Sequence, residues 1–363
     1  MKNNFGNASS SEHLYGWQSN EAVNSAREQI SELINCSPNE IFFTSGATES
    51  NNISIIGAIN SFDSNVHAIT SKTEHKSILD IFKHLSKNQT DVTYLNVNPD
   101  GLINLDKLND SIEPDTKLIS IMMANNEIGV IQPIEEISKI CRKNGIVFHV
   151  DAAQAMGKID LDVMKLNIDL MSVSSHKLYG PKGVGALYIN RKTMKHKIKP
   201  IFFGGGHENG LRPGTLAVHN IVGFGEACSI AKNEMSRNHI LLNSLTNLML
   251  KKLLEGFSDI IINGNMNIRI PGNLNITFPG LNQEPLIQKI KDVAVSSGSA
   301  CTTSTPEPSH VLRALGISKS LIRSTIRIGI GKFNSKDEIK HAATYILEVV
   351  NKLKINKKEV ING

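Results

Sequence analysis

The sequence predicts an α/β protein: a mainly parallel sheet flanked by helices, followed by a smaller α+β domain. Three observations predict it. Short, near-continuous apolar runs alternate with amphipathic helical stretches, as strands buried on both faces require. Polar turns bound each run. The alternation stops after about residue 230, where one long helical stretch leads to short strands and a closing helix.

IFFT (41–44) reads as a strand, and SGATESNNISIIGAINSF after it as a helix with a Ser/Thr-rich start. HAITS (67–71) is a strand and KSILDIFKHLSK a helix. LISIMMA (118–124), IVFHVDAA (146–153) and DLMSVSS (169–175) are further strands, with the helix PIEEISKICRKNG (133–145) between the first two. GALYIN (185–190) adds another strand. The long helix covers 226–257, strands follow at GNLNITF (272–278) and TIRIGIGKF (325–333), and SKDEIKHAATYILEVVNKLK closes the pattern. The expected division is a large domain over 1–235 and a small one over 236–363, which carries a small-residue loop around Cys301.

Composition narrows the function. The chain has 363 residues, 40% hydrophobic and 20% charged, with a net charge of +5, as in an ordinary globular protein. Its densest basic stretch, NKLKINKKEV (351–360), reads as a solvated helix end rather than a nucleic-acid site. Aromatics are only 5%, too few for base-stacking platforms. Cys36, Cys141, Cys228 and Cys301 are far apart, which argues against a zinc site or a disulfide framework. No apolar run reaches membrane-spanning length and the first residues are polar. The expected location is the cytoplasm, with no membrane and no direct nucleic-acid partner.

Two nucleophiles stand out. Lys177 lies in SSHKLYGPKG (174–183), after an apolar strand, where an amine can bond a carbonyl such as that of pyridoxal phosphate (PLP). Cys301 lies in SSGSACTTSTPEPSH (296–310), and a thiolate there is suited to attack on sulfur. Together they suggest PLP chemistry on a sulfur substrate. The other motifs each allow two readings. SGATESNN (45–52) is an anion cup with the Thr48 hydroxyl, or plain capping by Ser45 or Thr48. Asp151 is a carboxylate at a strand end facing a ligand crevice, with Gln154 near a phenolic oxygen, or it is a helix N-cap. Ser174 and His176 bind phosphate beside Lys177, or form a surface turn. GGGHENGLRPGT (204–215), ending in Thr215, is an anion nest or a connector. His75 stacks on a flat ring or sits at the surface. Asn126 reaches a ligand or makes an Asx turn. Arg327 pairs with a substrate carboxylate or with a protein carboxylate. For Cys301 the other reading is a small buried filler, which its polar surroundings disfavour.

Taken in order, FGN, SGATESNN, TEHK, NNEIGV, HVDAAQ, SSHKLYGPKG, GGGHENGLRPGT, SSGSACT and IRIGIGKF resemble the cysteine desulfurases of the IscS/NifS type, within the fold-type-I PLP enzymes. The resemblance implies a seven-stranded-type sheet and a homodimer. It implies that Lys177 carries PLP and, once freed, takes the Cα proton. Thr48, Ser174 and His176 would hold the phosphate, beside Ala47, with Thr215 reaching across from a second copy. Asp151 and Gln154 would tune the ring, and His75 would stack on it and carry protons. Asn126 would meet cofactor and substrate, Arg327 would meet L-cysteine, and Cys301 would take the sulfur as a persulfide. The sulfur would pass to acceptor proteins such as an iron–sulfur scaffold, or to tRNA thiolation. The sequence departs from the family pattern at Ser175, which stands for a glycine, and in GNASS, which lacks a proline. The family carries a first strand and an LDNSATTP-like segment before FGN, and a C-terminal extension that docks a scaffold. The expectation drawn from these departures is PLP binding with slow desulfuration, or a binding or regulatory role. A selenocysteine lyase is the further alternative.

Overall fold

The computed structural model describes residues 5–87, 90–194, 198–281, 285–297 and 308–361, with side chains described through Lys354. Cys301 lies outside the described residues. Contacts divide the chain into two units. The first comprises Met1–Leu95, Asn104–Ala124 and Gln132–Met235; the second comprises Asn96–Ile103, Asn125–Ile131 and Ser236–Gly363. Two short segments that a single boundary at 235 leaves in the first unit therefore belong to the second, and one of them contains Asn126.

In the first unit, helix α1 (Leu14–Ile34) starts at His13, whose side chain accepts from Gly16 N, and stops at Asn35 in the left-handed conformation. Strand β1 (Ile41–Thr44) leads through Gly46 into α2 (Ala47–Ile59). There follow β2 (Val66–Ser71), α3 (Lys76–Leu85), β3 (Thr90–Leu95), α4 (Leu105–Asp110), β4 (Thr116–Ser120), α5 (Ile134–Asn144), β5 (Val147–Asp151), β6 (Leu170–Ser174) and β7 (Gly185–Ile189). These strands make one seven-stranded sheet in the order β1-β7-β6-β5-β4-β2-β3. Only β7 runs against its neighbours. Strands β4 to β6 are buried along almost their whole length, which is why they read as apolar runs. The core between sheet and helices includes Ile53, Phe82, Leu118 and Leu187.

A polar rung crosses this apolar sheet. His149 on β5 is fully buried, with Nδ1 2.8 Å from Ser120 Oγ on β4 and Nε2 3.0 Å from Ser172 Oγ on β6. Burial lowers its pKa to about 3, so the ring is neutral between two hydroxyls.

Helix α6 (Val218–Gly256) begins in the first unit, and from Ser236 its residues belong to the second. The second unit continues with β8 (Ile261–Ile262), β9 (Asn273–Thr277), α7 (Leu286–Lys289), α8 (His310–Ala314), α9 (Lys319–Arg323), β10 (Thr325–Gly329) and α10 (Lys336–Ile361). Its sheet is antiparallel, in the order β10-β9-β8. Leu245, Met249, Leu274, Ile276, Ile326 and Ile346 are among its core residues. No described helix is long and apolar enough to cross a membrane.

Candidate active site

The C-terminal ends of β5 and β6 and the N-terminus of α2 carry most of the candidates in the first unit. In an open α/β sheet, ligands bind beyond the carboxyl ends of the strands. Asp151 ends β5 and is buried. Its Oδ1 accepts from Ala153 N at 2.9 Å, and its Oδ2 accepts from Asn51 Nδ2 at 3.1 Å. One oxygen thus closes a turn as a cap would, while the other is held by a side chain from α2. Gln154 Oε1 accepts from Lys158 Nζ at 3.1 Å, so its Nε2 amide is the group suited to a phenolic oxygen.

Ser174 ends β6, and the chain turns at once into a short 3-10 helix, Ser175–Leu178. Ser174 Oγ lies 3.0 Å from His176 Nδ1. His176 and Lys177 are exposed. Burial and the cations of Lys177 and Lys182 lower the pKa of His176. Across from this turn, α2 begins at Gly46, and no side chain caps it. Capping by Ser45 or Thr48 is therefore not what these residues do. The N–H groups of the first turn thus have no side-chain cap, beside the exposed Thr48 and half-buried Ala47. Gly46 has φ 152°, and a Cβ built there would lie 3.7 Å from Ser174 Oγ. The two loops approach closely enough for one anion to meet both. Glu49, in the same turn, is pulled below its usual range: burial opposes this, and hydrogen bonds from Ser45 and Arg212 outweigh it. The Arg212 Nε–Glu49 Oε1 contact, 3.0 Å, ties the glycine-rich loop before exposed Thr215 to α2.

His75 caps α3: its Nδ1 accepts from Ser77 N at 3.1 Å and lies 2.8 Å from Ser77 Oγ. The residue presents an exposed edge to solvent, yet the protein mass around the ring lowers its pKa. Asp151 opposes that shift and Lys177 reinforces it, so both act on the same imidazole. Glu74, one residue earlier, is fully buried and accepts from Met122 N at 2.7 Å. Burial pushes its carboxyl well above the usual range; the Met122 N–H opposes this and Asp151 adds to it.

Asn126 and Arg327 lie in the second unit. The Asx turn expected of Asn126 is made by its neighbour: Asn125 Oδ1 accepts from the N–H groups of Glu127 and Ile128. Arg327, half-buried on β10, donates to Asn126 O at 2.7 Å and to Ser296 Oγ at 2.9 Å. The protein carboxylate it feels is Glu127, which accepts from Ser309 Oγ. Burial pushes the thiols of Cys36, Cys141 and Cys228 up, which suits inert packing rather than nucleophilic work.

Sequence reasoning missed Asn51, Ser77 and Glu74. The signal for Asn51 is a polar residue at a buried position of an apolar helix; its Oδ1 has no hydrogen-bond partner among the described residues. These observations fit PLP. There is a cradle that a Cβ would narrow, a buried carboxylate held by a neutral amide for the ring nitrogen, and an amine on the adjoining strand end.

The profile of the aminotransferase class-V family matches residues 1–341. The IscS cysteine desulfurase of Colwellia psychrerythraea is 50% identical over 351 residues, covering 96% of this chain and 86% of that protein. The mitochondrial cysteine desulfurase of Arabidopsis thaliana is 48% identical, covering 96% and 77%. Among solved structures, a NifS-like protein superposes with a TM-score of 0.89 at 35% identity, covering 96% of this chain and 93% of that one. SspA in complex with cysteine gives 0.80 at 35%, covering 92% and 93%. The chain belongs to the aminotransferase class-V family, whose enzymes use pyridoxal phosphate. The activity it shares with these relatives is cysteine desulfuration, which yields L-alanine from L-cysteine and passes on the sulfur.

Proposed function

We propose that Lys177 is the residue that bears PLP and the base that moves the Cα proton of L-cysteine. The observation that carries this is the juxtaposition of β5 and β6: Asp151 ends one strand, and the neighbouring strand ends at Ser174, three residues before Lys177, with Ser174 Oγ 3.0 Å from His176 Nδ1. When bound, PLP supplies the carbonyl that captures amines and the electron sink that makes the Cα proton removable. The chain's own residues do the rest. Asp151 faces the ring nitrogen, braced by Asn51. The Gly46–Ala47–Thr48 turn, Ser174 and His176 take the phosphate, and Gln154 takes the phenolic oxygen. Arg327 offers its guanidinium to the substrate carboxylate, and Asn126 lies beside it, joined through its carbonyl. Cys301 takes the sulfur: its thiolate bonds to the substrate sulfur as the C–S bond breaks, leaving a persulfide and, after protonation, alanine. That sulfur goes on to an acceptor such as an iron–sulfur scaffold. The working form is a homodimer in which Thr215 from a second copy completes the phosphate site, and its location is the cytoplasm.

The test has two arms. Borohydride trapping followed by peptide mapping is expected to place a pyridoxyl group on Lys177. Cys301→Ala is expected to keep that label while losing alanine production with a physiological reductant. A label on another lysine overturns the first assignment, and wild-type turnover by Cys301→Ala overturns the second.

A further inference from the structure

A directed hydrogen-bond chain links the Asp151 carboxylate to His75, and its direction can be read from the donors. Asn51 Nδ2 lies 3.1 Å from Asp151 Oδ2 and 3.0 Å from Ser77 Oγ. An ionised carboxylate only accepts, so the nitrogen end of the Asn51 amide must face it. The reverse orientation would set two acceptors against each other. The second amide hydrogen then goes to Ser77 Oγ. Having accepted, that hydroxyl turns its single proton toward His75 Nδ1, 2.8 Å away. The backbone N–H of Ser77, which can only donate, points at the same nitrogen from 3.1 Å. Two donors converge on His75 Nδ1, so the neutral ring carries its hydrogen on Nε2.

We infer that Asn51 and Ser77 are positioning residues that hold the neutral His75 ring as the Nε2–H tautomer, with Nε2 as a fixed hydrogen-bond donor. The only lone pair available for taking up a proton is the one Ser77 occupies. Protonating Nδ1 would displace the Ser77 backbone N–H and turn the Ser77 hydroxyl from donor to acceptor at that nitrogen. The charges around the ring fit this: Lys177 and Lys76 disfavour the imidazolium, Asp151 and Asp80 favour it, and desolvation decides for the neutral form. Proton uptake from Cα then falls to Lys177, as proposed above. The catalytic consequence rests on the cofactor assignment proposed above, while the tautomer lock does not.

The lock is read by NMR on protein labelled with ¹⁵N-histidine, before and after PLP loading, with His75 assigned by its loss in His75→Gln. The wild type is expected to show the Nε2–H pattern in both states. Ser77→Ala removes the hydroxyl donor and the link to Asn51, and is expected to move the ring part of the way toward averaged tautomers, the backbone N–H of residue 77 still donating to Nδ1. It should also raise the His75 titration midpoint by about half a unit or more, since a hydrogen bond to the neutral form is lost. Ser77→Thr keeps the hydroxyl and is expected to restore the wild-type pattern. An Nδ1–H pattern in the wild type overturns the inference, and so does a Ser77→Ala spectrum that matches the wild type. Because the cofactor-free chain is measured, failure of the lock and failure of the Lys177 assignment show in different experiments.

Discussion

Burial pushes the Glu127 carboxyl up to about 7, while the hydrogen bond from Ser309 and the charge of Arg327 pull the other way. A carboxyl whose folded pKa exceeds its unfolded value stabilises the fold fully only below the unfolded value. That contribution drains away as pH rises from about 4.5 to 7 and is gone above it. One pKa unit corresponds to about 1.4 kcal/mol, so the loss is roughly 3 kcal/mol. Glu127→Gln keeps an acceptor for Ser309 and cannot ionise. Its stability relative to wild type is therefore expected to climb by roughly 3 kcal/mol between pH 4.5 and 8. Urea unfolding of the second unit at a series of pH values measures this. A difference that stays flat with pH would mean that the carboxylate meets no burial cost. Glu74, another carboxyl that burial pushes up, was as invisible in the sequence as Glu127. Each sits in a polar string, TEHK or NNEIG, and only the folded neighbours show that it is enclosed.

Gly185 joins three elements at the site. On β7 it pairs with Thr44 at the end of β1 and with Ser174 at the end of β6. A Cβ there would lie 2.5 Å from Val173 O and 2.6 Å from Gly46 Cα, both backbone atoms that no rotamer change can move. Gly185→Ala is expected to push the β1–α2 turn away from Ser174. Overpacking of this kind costs about 1–3 kcal/mol, and PLP affinity should fall about tenfold if the turn is the phosphate cup. Titration of the PLP-free protein with PLP gives the answer; unchanged affinity with reduced stability would remove the turn from the site. At this scale the sequence was most readable where burial is two-sided. β1, β2, β5, β6 and β7 lie where apolar runs put them, as do α2, α3 and α5. β3 escaped because TDVTYL is an edge strand, partly open to solvent, with no continuous apolar run. α1 escaped because its polar residues outnumber a weak apolar stripe. LISIMMA continues as buried chain past the end of β4 at Ser120, with Ile121 and Met123 still donating to His149 O and Asp151 O. The positions of the candidate aspartate at the end of β5 and of the candidate lysine just beyond β6 were legible because a strand end announces itself locally. The Asp151–Asn51–Ser77–His75 chain was not, since its members come from separate elements and meet only after folding.

For the whole molecule, the expected state is a homodimer. The first unit exposes Leu14, Tyr15 and Trp17 on α1, and Phe203, 88% exposed, precedes the glycine-rich loop. Exposed apolar groups of this kind mark interaction surfaces, and two-fold dimers are the commonest closed assembly. Trp17 is the only tryptophan in the chain and is 55% exposed, so it reports on this directly. Its emission is expected to shift to the blue as concentration rises through the association range, in step with a doubling of mass in sedimentation. A PLP-loaded monomer with unshifted emission at every concentration would contradict the dimer. The rung of Ser120, His149 and Ser172 has a consequence for how such a chain reaches its folded form. Parallel strands of similar apolar character can dock one position out of step at little hydrophobic penalty. Here a slipped alignment would strand an imidazole and two hydroxyls in the apolar interior, each costing about 1–3 kcal/mol. The rung thus works as a proofreading mark: the one alignment that closes it also brings Asp151 and Ser174 to the same edge of the sheet.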